Sequence, residues 1–112
     1  MRKNLKINPP CDDSCPVRAS LTLLGGKWTL MILFQINVGV MRYGELKRAV
    51  TGISEKMLIQ ELNMLVSNKL VNKKIYPEIP PKVEYTLTEL GLKTLPIVDK
   101  LADFGLENLV QR

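Results

Sequence analysis

The chain has 112 residues, 46% of them hydrophobic and only 5% aromatic, which supplies one aliphatic, helix-rich core and too little material for two. It contains no histidine, no glycine-rich phosphate loop and no paired carboxylates in an apolar setting, so we predict that it is not an enzyme and uses no cofactor or metal. Its formal net charge of +5 favours a polyanionic partner.

The amino-terminal residues have a composition that resists regular structure. Three of the first ten are Lys or Arg and the segment ends in two prolines, so residues 1–14 are predicted as a flexible basic arm and residues 15–112 as the folded domain. The arm lacks the apolar segment of a secretory signal, and no apolar run has membrane-spanning length. We therefore expect a cytoplasmic protein with no membrane partner. Cys11 and Cys15 are too few and too close together to staple a secreted fold, which fits a reducing compartment.

Two helices are predicted at the start of the domain. Val17, Leu21 and Leu24 recur at helical spacing. A proline suited to a first helical turn precedes them and a Gly-Gly pair ends the run, which bounds a helix over residues 16–24. Residues 28–35 are almost continuously apolar, a pattern typical of a helix buried on most sides at the centre of a fold.

A short helix, a glycine-containing turn and a longer capped helix follow. The short helix covers residues 43–49 with Leu46 inward, and residues 50–53 form the turn. Ser54 is a natural N-cap for a helix over residues 55–68. This order is a helix-turn-helix, whose second helix usually enters the major groove of DNA.

The longer helix separates apolar from polar residues. At about 100° per residue, Leu58, Leu62 and Leu65 fall within about 60° of one another and define the buried side. The opposite side carries one cation, two carboxamides and a hydroxyl, namely Lys56, Gln60, Asn63 and Ser67. Gln and Asn can bond adenine bidentately and Lys can donate to guanine, so this side is suited to reading base edges. An ordinary solvated helix face is the alternative, and the surrounding helix-turn-helix favours the DNA interpretation.

The periodicity changes from helical to alternating after the longer helix. Residues 71–76 and 82–87 are predicted as two strands. Three prolines within residues 77–81 stiffen the loop between them, so the segment forms a wing. Its cations could follow phosphates or discourage aggregation of the strand edge. They are Lys73, Lys74 and Lys82.

The last helix is predicted to start at a Thr88 cap and to run to about the carboxyl end, with a kink or restart at Pro96. Its second part carries eight apolar residues: Ile97, Val98, Leu101, Ala102, Phe104, Leu106, Leu109 and Val110. This apolar surface is wider than a small domain can cover by itself, and we therefore expect a homodimer. Two recognition helices one DNA turn apart would then bind a pseudo-palindromic duplex.

Four segments of the chain carry a family resemblance. They are Cys15-Pro16-Val17, Gly25-Gly26-Lys27-Trp28, Gly52-Ile53-Ser54 with Lys56, and the string YPEIPPKVEYTLTELG over residues 76–91. Together they resemble the HxlR-type family of bacterial winged helix-turn-helix regulators, which is related in architecture to the MarR-type repressors. The resemblance implies a mainly α fold with a small β-hairpin wing, a dimer through the N- and C-terminal helices, a recognition helix over residues 54–68, and regulation of a nearby operon.

The sequence departs from the family pattern at a few positions. Members often carry Trp where this chain has Phe104, a change within hydrophobic packing. Glu55 and Glu61 lie on the recognition helix, where a carboxylate repels phosphates unless it is paired with a neighbour or aimed at a cytosine amino group.

The resemblance also implies that the Cys15 position senses electrophiles, quinones or oxidants. Cys15 precedes Pro16, so its sulfur is expected near the amino end of the first helix, where the helix dipole and Arg18 favour a thiolate. Such a thiolate could form an intersubunit disulfide or an adduct with a small electrophile or oxidant. Cys11 is a candidate resolving partner, although the two acids beside it argue for slow chemistry. The alternative is that Cys15 is a small buried residue that packs well.

These features predict a sequence-specific, double-stranded DNA-binding transcriptional regulator that responds to redox conditions or electrophiles through Cys15. Base edges or nearby phosphates are assigned to Ser54, Lys56, Gln60 and Asn63. The duplex backbone is assigned to Arg42, Tyr43, Lys47 and Arg48 from the first helix of the motif, with Lys73 and Lys82 at the wing.

The alternative function is a winged-helix module that binds protein or RNA without redox sensing. A protein partner would favour apolar residues on the outer side of the recognition helix, where this chain is polar. A reader of single-stranded RNA would need exposed aromatics. Trp28 and both phenylalanines are expected to be buried, which leaves Tyr43, Tyr76 and Tyr85.

Overall fold

The computed structural model describes residues 11–37, 39 and 41–111. The elements in chain order are α1 (Pro16–Leu24), α2 (Thr29–Ile36), β1 (Met41–Arg42), α3 (Tyr43–Ala49), α4 (Glu55–Ser67), β2 (Val71–Tyr76), β3 (Lys82–Leu87), α5 (Glu89–Leu92) and α6 (Leu95–Asn108). The predicted helices and strands are confirmed to within about a residue, except that the last helix ends at Asn108, a few residues before the predicted end. Most of the predicted basic arm, residues 1–10, lies outside the described residues.

The first two helices leave apolar side chains uncovered. α1 buries only Leu24, while Val17 and Leu21 are 46% and 62% exposed. α2 buries one side against α3, β3 and α6. Met31 and Phe34 on its other side are 45% and 43% exposed. The prediction that this helix is buried on most sides is therefore wrong, because the single chain supplies neighbours for only one side.

Within the described ranges, no single helix is long and apolar enough to cross a membrane. α1 and α2 meet that requirement only as a pair, by length and composition, and they are bent by 71° relative to each other.

Three antiparallel strands in the order β1-β3-β2 form the wing and its base. β2 and β3 pair along their full lengths. β1 adds Met41 and Arg42, which lie opposite Tyr85 and Glu84 of β3. This strand was not predicted, because two residues are too few to show an alternating pattern.

One aliphatic core joins the helices to the sheet. Leu46 of α3 and Leu58, Leu62 and Leu65 of α4 are at most 2% exposed, which confirms the predicted inward sides of both helices. The other aliphatic members are Leu24, Ile32, Leu33, Ile36, Val50, Ile53, Leu70 and Val71. Because α4 contributes three of these fully buried leucines, its rotation about its own axis is fixed by the core.

The aromatic side chains are distributed differently from the prediction. Tyr85 is 6% exposed, because it lies on the core-facing side of the central strand β3. Trp28 is half-buried. Phe34 and Phe104, expected to be buried, are 43% and 58% exposed in the single chain, because they lie on sides of α2 and α6 that nothing in it covers.

The short helix α5 is fixed tightly to the junction between α4 and β2. The Thr88 hydroxyl accepts from the N–H of Gly91 at 3.0 Å and donates to the carbonyl of Lys69 at 2.6 Å. Gly91 approaches the Leu70 carbonyl oxygen so closely that a Cβ at this position would collide with it. α6 then begins with Pro96 in its first turn, which confirms the predicted restart.

α6 has no fully buried residue, and the structure describes the whole of this helix. Ile97, Leu101, Phe104 and Leu106 are between 42% and 58% exposed. Leu109, just past the end of the helix, is 74% exposed. The wide apolar surface predicted from the sequence is therefore present and uncovered in the single chain.

Candidate nucleic-acid interface

α3 and α4 form a helix-turn-helix whose ends are held by local hydrogen bonds. At the start of α3, the backbone N–H of Arg42 donates to the Glu45 carboxylate at 2.7 Å. Gly52 in the turn has a φ of 93°, which glycine adopts without steric cost. The Ser54 hydroxyl accepts from the N–H of Met57 at 3.1 Å, which confirms the predicted N-cap of α4.

The outward side of α4 is a continuous polar strip. Lys56, Gln60, Asn63 and Ser67 are all exposed, opposite the buried leucines. At about 1.5 Å per residue, the strip extends roughly 16 Å along the helix. The structure thus brings Lys56, Gln60 and Asn63 to one side of one rigid helix, and places Ser54, the fourth residue assigned to base edges or nearby phosphates, at its amino-terminal cap. Their contacts with DNA stay a prediction.

The acidic residues of α4 have different surroundings. Glu61 is half-buried and accepts a hydrogen bond at 3.2 Å from the hydroxyl of Thr29, which is 6% exposed. This pairing holds the Glu61 carboxylate against α2, away from the polar strip. Glu55 is exposed in the first turn, where the helix dipole favours a negative charge. The contact between Thr29 and Glu61 was not predicted, because the two residues lie 32 positions apart and no local pattern links them.

The residues assigned to the first helix of the motif do not all belong to it. Arg42 ends β1 and caps α3, while Lys47 is half-buried and Arg48 exposed in the last turn. The Tyr43 hydroxyl is buried and has no hydrogen-bond partner in the part of the chain that the structure describes. Burial, followed by the charge of Glu55, raises the pKa of Tyr43. Tyr43 therefore does not present the surface donor that the predicted phosphate contact requires.

The strand register sorts the cations of the wing between two sides of the sheet. Arg42 and Lys74 both lie opposite Glu84, and Lys82 is two residues from Glu84 on β3, so all four share one side. We call these four residues the wing face. Lys73 lies opposite the core-facing Tyr85 and so belongs to the other side. Lys73 and Lys82 were predicted to contact the duplex backbone together, but the alternation of side chains along the strands separates them and groups Lys82 with Lys74.

The wing face is held together by an aromatic ring and a carboxylate. The Lys74 and Lys82 ammonium groups lie 4.9 and 4.6 Å from the centroid of the Tyr76 ring. Lys82 also approaches the Glu84 carboxylate at 3.6 Å. A hydrogen bond from Tyr76, then the charges of Lys82 and Arg42, lowers the pKa of Glu84 against the opposing effect of burial. Three cations against one carboxylate leave this face positive.

The two cysteines are joined to each other. Cys11 and Cys15 form a disulfide with a Cα–Cα distance of 5.0 Å, and Cys15 is 5% exposed. Asp12 accepts hydrogen bonds in the intervening turn, which lower its pKa, and Arg18 approaches Asp13 at 3.6 Å. The structure therefore does not have the accessible Cys15 thiolate paired with Arg18 that we predicted, because the sulfur is bonded within the same chain. No cluster of three metal-ligating side chains occurs in the described ranges.

A capped helix-turn-helix with a polar outward side, followed directly by a basic β-hairpin, defines the winged helix-turn-helix class of transcriptional regulators. The sequence pattern of the HxlR-like helix-turn-helix family matches residues 23–112. The chain belongs to this family, whose members are transcriptional regulators and not enzymes. The resemblance and the mainly helical fold with a small antiparallel sheet are confirmed.

Three known proteins illustrate the similarity. A protein of Fusobacterium mortiferum named as the regulatory protein MalR is 43% identical over 95 residues, which cover 84% of this chain and 90% of the relative. A solved structure from Porphyromonas gingivalis W83, described as a MarR-family transcriptional regulator, is 60% identical with a TM-score of 0.87 and covers 91% of this chain and 100% of that one. The redox regulator HypR in its oxidized form is 35% identical with a TM-score of 0.80, covering 87% and 100%.

Proposed function

We propose that this chain is a cytoplasmic homodimeric regulator that binds a specific double-stranded DNA operator through α4 and responds to oxidants or electrophiles through Cys15. The observation that carries the proposal is the polar strip of α4, set opposite three buried leucines. Exposed Gln60 and Asn63 offer bidentate partners for adenine, and Lys56 offers a donor for guanine. Ser54 stands at the amino end of the same helix, where backbone N–H groups favour a phosphate.

The duplex backbone is contacted on both flanks of α4 in this proposal. Lys47 and Arg48 lie in the last turn of α3, and the wing face adds three cations on the other flank. Phosphate contacts of this kind fix the register of a protein on DNA without reading its sequence. Lys73 stays in the proposal as a contact from the opposite side of the wing, and Tyr43 would contribute through its ring rather than its buried hydroxyl.

Dimerisation is supported by the apolar side chains that are exposed to solvent in the single chain. Val17 and Leu21 of α1, and Ile97 and Phe104 of α6, are each more than 40% exposed. Burying such surface against an identical copy removes it from water and relates the two α4 helices by a two-fold axis. Two helices about one DNA turn apart match a pseudo-palindromic operator.

The DNA proposal is tested by selecting bound duplexes from a random pool with the purified protein, and then measuring variants on the selected operator. Gln60→Ala should cost about 1–3 kcal/mol on the operator and little on random duplex. Ser67→Ala is the matched control, because Ser67 is exposed on the same strip but lies in the last turn of α4. Equal losses on operator and random DNA contradict base reading by Gln60. A monomeric protein with no preference among duplexes overturns the proposal.

Redox sensing is supported by the two joined cysteines and by the similarity to a protein named as a redox regulator. Two thiols at Cys11 and Cys15 form the disulfide by releasing two protons and passing two electrons to an oxidant, such as a low-molecular-weight disulfide that leaves as two thiols. The bond ties the turn before α1 to the amino end of that helix, next to the apolar side proposed for dimerisation.

The redox proposal predicts the mass and thiol content of the oxidised protein. After mild oxidation, non-reducing electrophoresis should give a single-chain band with two fewer free thiols, and Cys15→Ser should abolish the response of a reporter gene. Ser14→Ala, a change between the two cysteines, is the control and should respond normally. A Cys15→Ser variant with an unchanged response overturns redox sensing through this residue, and a covalent dimer would overturn the intrachain route.

A further inference from the structure

An apolar side chain borders the polar strip of α4. Ile59 is 47% exposed, and it is not among the partly buried side chains that pack against the core in the described part of the chain. At about 100° per residue, Ile59 lies roughly 40° around the helix from Asn63 and roughly 60° from Lys56. Both residues are within about one turn of it, so a surface that contacts Lys56 and Asn63 also reaches Ile59.

An isoleucine at this position serves neither core packing nor helix formation. Its β-branched side chain favours a helix less than Lys or Gln does, and it leaves apolar surface in water. The buried leucines of α4 fix the rotation of the helix, so Ile59 cannot turn inward. The apolar surface proposed for dimerisation lies on α1 and α6, whereas Ile59 adjoins the side chains proposed to read DNA. These facts favour a DNA contact for Ile59.

The major groove of DNA offers one apolar partner to such a side chain. Base edges in this groove present hydrogen-bond donors and acceptors, and the 5-methyl group of thymine is the only apolar group among them. Adenine, the base that a carboxamide such as that of Asn63 bonds bidentately, is paired with thymine. The Cβ atoms of residues four apart on a helix are about 5–6 Å from each other, well within the roughly 12 Å width of the groove. Ile59 and Asn63 can therefore engage one A·T pair together.

We propose that Ile59 contacts the 5-methyl group of the thymine in the A·T pair that Asn63 reads, and so determines part of the operator sequence. The χ1 angle of an isoleucine in a helix has one strongly preferred value, which holds the side-chain methyl groups in a fixed place against the thymine. The inference rests on the proposed DNA-binding function and adds a specificity-determining residue to it.

The test replaces thymine by deoxyuridine, one position at a time, in the operator selected from the random pool. This change removes only the 5-methyl group. At one position of each half-site, we expect the replacement to weaken binding of the purified full chain about fourfold in fluorescence anisotropy, the factor for one methyl group returned to water. Changing both half-sites should weaken binding about fifteenfold. Asn63→Ala should relax the base preference at the same pair.

Two variants assign the methyl preference to a residue. Ile59→Ala should bind the thymine and deoxyuridine operators equally well, and the exposed position should tolerate the change because alanine is the stronger helix former. Met64→Ala is the matched control. Met64 is also an apolar side chain of α4, 54% exposed, but it borders the opposite edge of the polar strip, so this variant should keep the preference.

Several results overturn the role of Ile59. They are an operator in which no thymine responds, a preference that Ile59→Ala keeps or Met64→Ala removes, and a methyl-sensitive pair other than the one that Asn63 reads. Loss of the dimer in Ile59→Ala, measured by sedimentation, assigns the residue to a contact between copies and overturns the proposal as well. A protein with no preference among duplexes contradicts the proposed function and this inference with it, whereas specific operator binding that is indifferent to the methyl group contradicts only the role of Ile59.

Discussion

The hydrogen bond between Thr29 and Glu61 joins the recognition helix to the first turn of α2. The Thr29 hydroxyl donates to the Glu61 carboxylate at 3.2 Å, and Thr29 is 6% exposed while Glu61 is half-buried. A Cβ added at the neighbouring Gly26 would lie 2.6 Å from that hydroxyl, so the surroundings are tight. Thr29→Val keeps the shape of the side chain and removes only the donor.

The expected loss of stability follows from this geometry. A hydrogen bond to a charged group contributes about 1.5–3 kcal/mol, and the partial exposure of Glu61 lets water replace some of it. We therefore expect Thr29→Val to lower the free energy of unfolding by about 1–2 kcal/mol, or the melting temperature by roughly 4–10 °C for a domain of this size. Affinity for DNA should fall too, because a released carboxylate on α4 repels phosphates.

Urea unfolding followed by circular dichroism measures the effect, with a double-mutant cycle against Glu61→Ala. The cycle should give a coupling energy of about 0.5 kcal/mol or more, since the two residues are in contact. Thr22→Val is the control, because the Thr22 hydroxyl bonds only to the Arg18 carbonyl within exposed α1, and it should stay within about 0.5 kcal/mol of the parent. A Thr29→Val variant as stable as the parent, or a coupling near zero, would refute the reasoning.

Three more predictions concern the wing and the core. Lys74→Ala should make the salt dependence of operator binding shallower by about 0.9 per wing, or about 1.8 per dimer, and Lys73→Ala should have the smaller effect; a larger change for Lys73 contradicts the wing face. Leu62→Ala, at a side chain 1% exposed, should lower the free energy of unfolding by about 2–5 kcal/mol in urea titrations, and a loss below about 1 kcal/mol would show that α4 is not held by the core. Because the pKa of Glu84 is lowered in the folded state, its ionised carboxylate stabilises the fold at pH values above the ordinary pKa of 4.5. This stabilisation is lost as the pH falls through the lowered pKa of the folded state. Glu84→Gln should therefore be less stable than the parent at pH 7 and converge with it below pH 4.5, and a gap that persists in acid argues against this origin.

The sequence alone predicts those structural features that depend on a pattern of neighbouring residues. Burial of Leu58, Leu62 and Leu65 follows from helical spacing, because each residue of a helix turns its side chain by a constant angle. The Ser54 cap follows from a short polar side chain directly before an apolar run. These local patterns are sufficient to predict the helix-turn-helix, the hairpin and the outward side of α4.

Features that depend on contacts between distant segments were not predictable in this way. The bond from Thr29 to Glu61 spans 32 residues, and β1 is too short to show a pattern. Phe34 and Phe104 were expected to be buried, but an apolar residue that covers a partner looks the same in a sequence as one that fills the interior of its own domain. The grouping of Lys74 with Lys82 could have been predicted from the sequence once the two strands were paired, because alternate residues of a strand lie on the same side of a sheet.

The close approach of Gly91 to the Leu70 carbonyl oxygen makes α5 a stiff link between two parts of the molecule. The carboxyl end of α4 and the start of α6 are separated by this link and by the two bonds of the Thr88 hydroxyl. Because residue 91 has no side chain, the backbones of α5 and of the α4–β2 junction are in direct contact. Tight packing of this kind leaves little room for α6 to tilt independently of α4. In the proposed dimer, the distance between the two α4 helices would therefore depend on this short link.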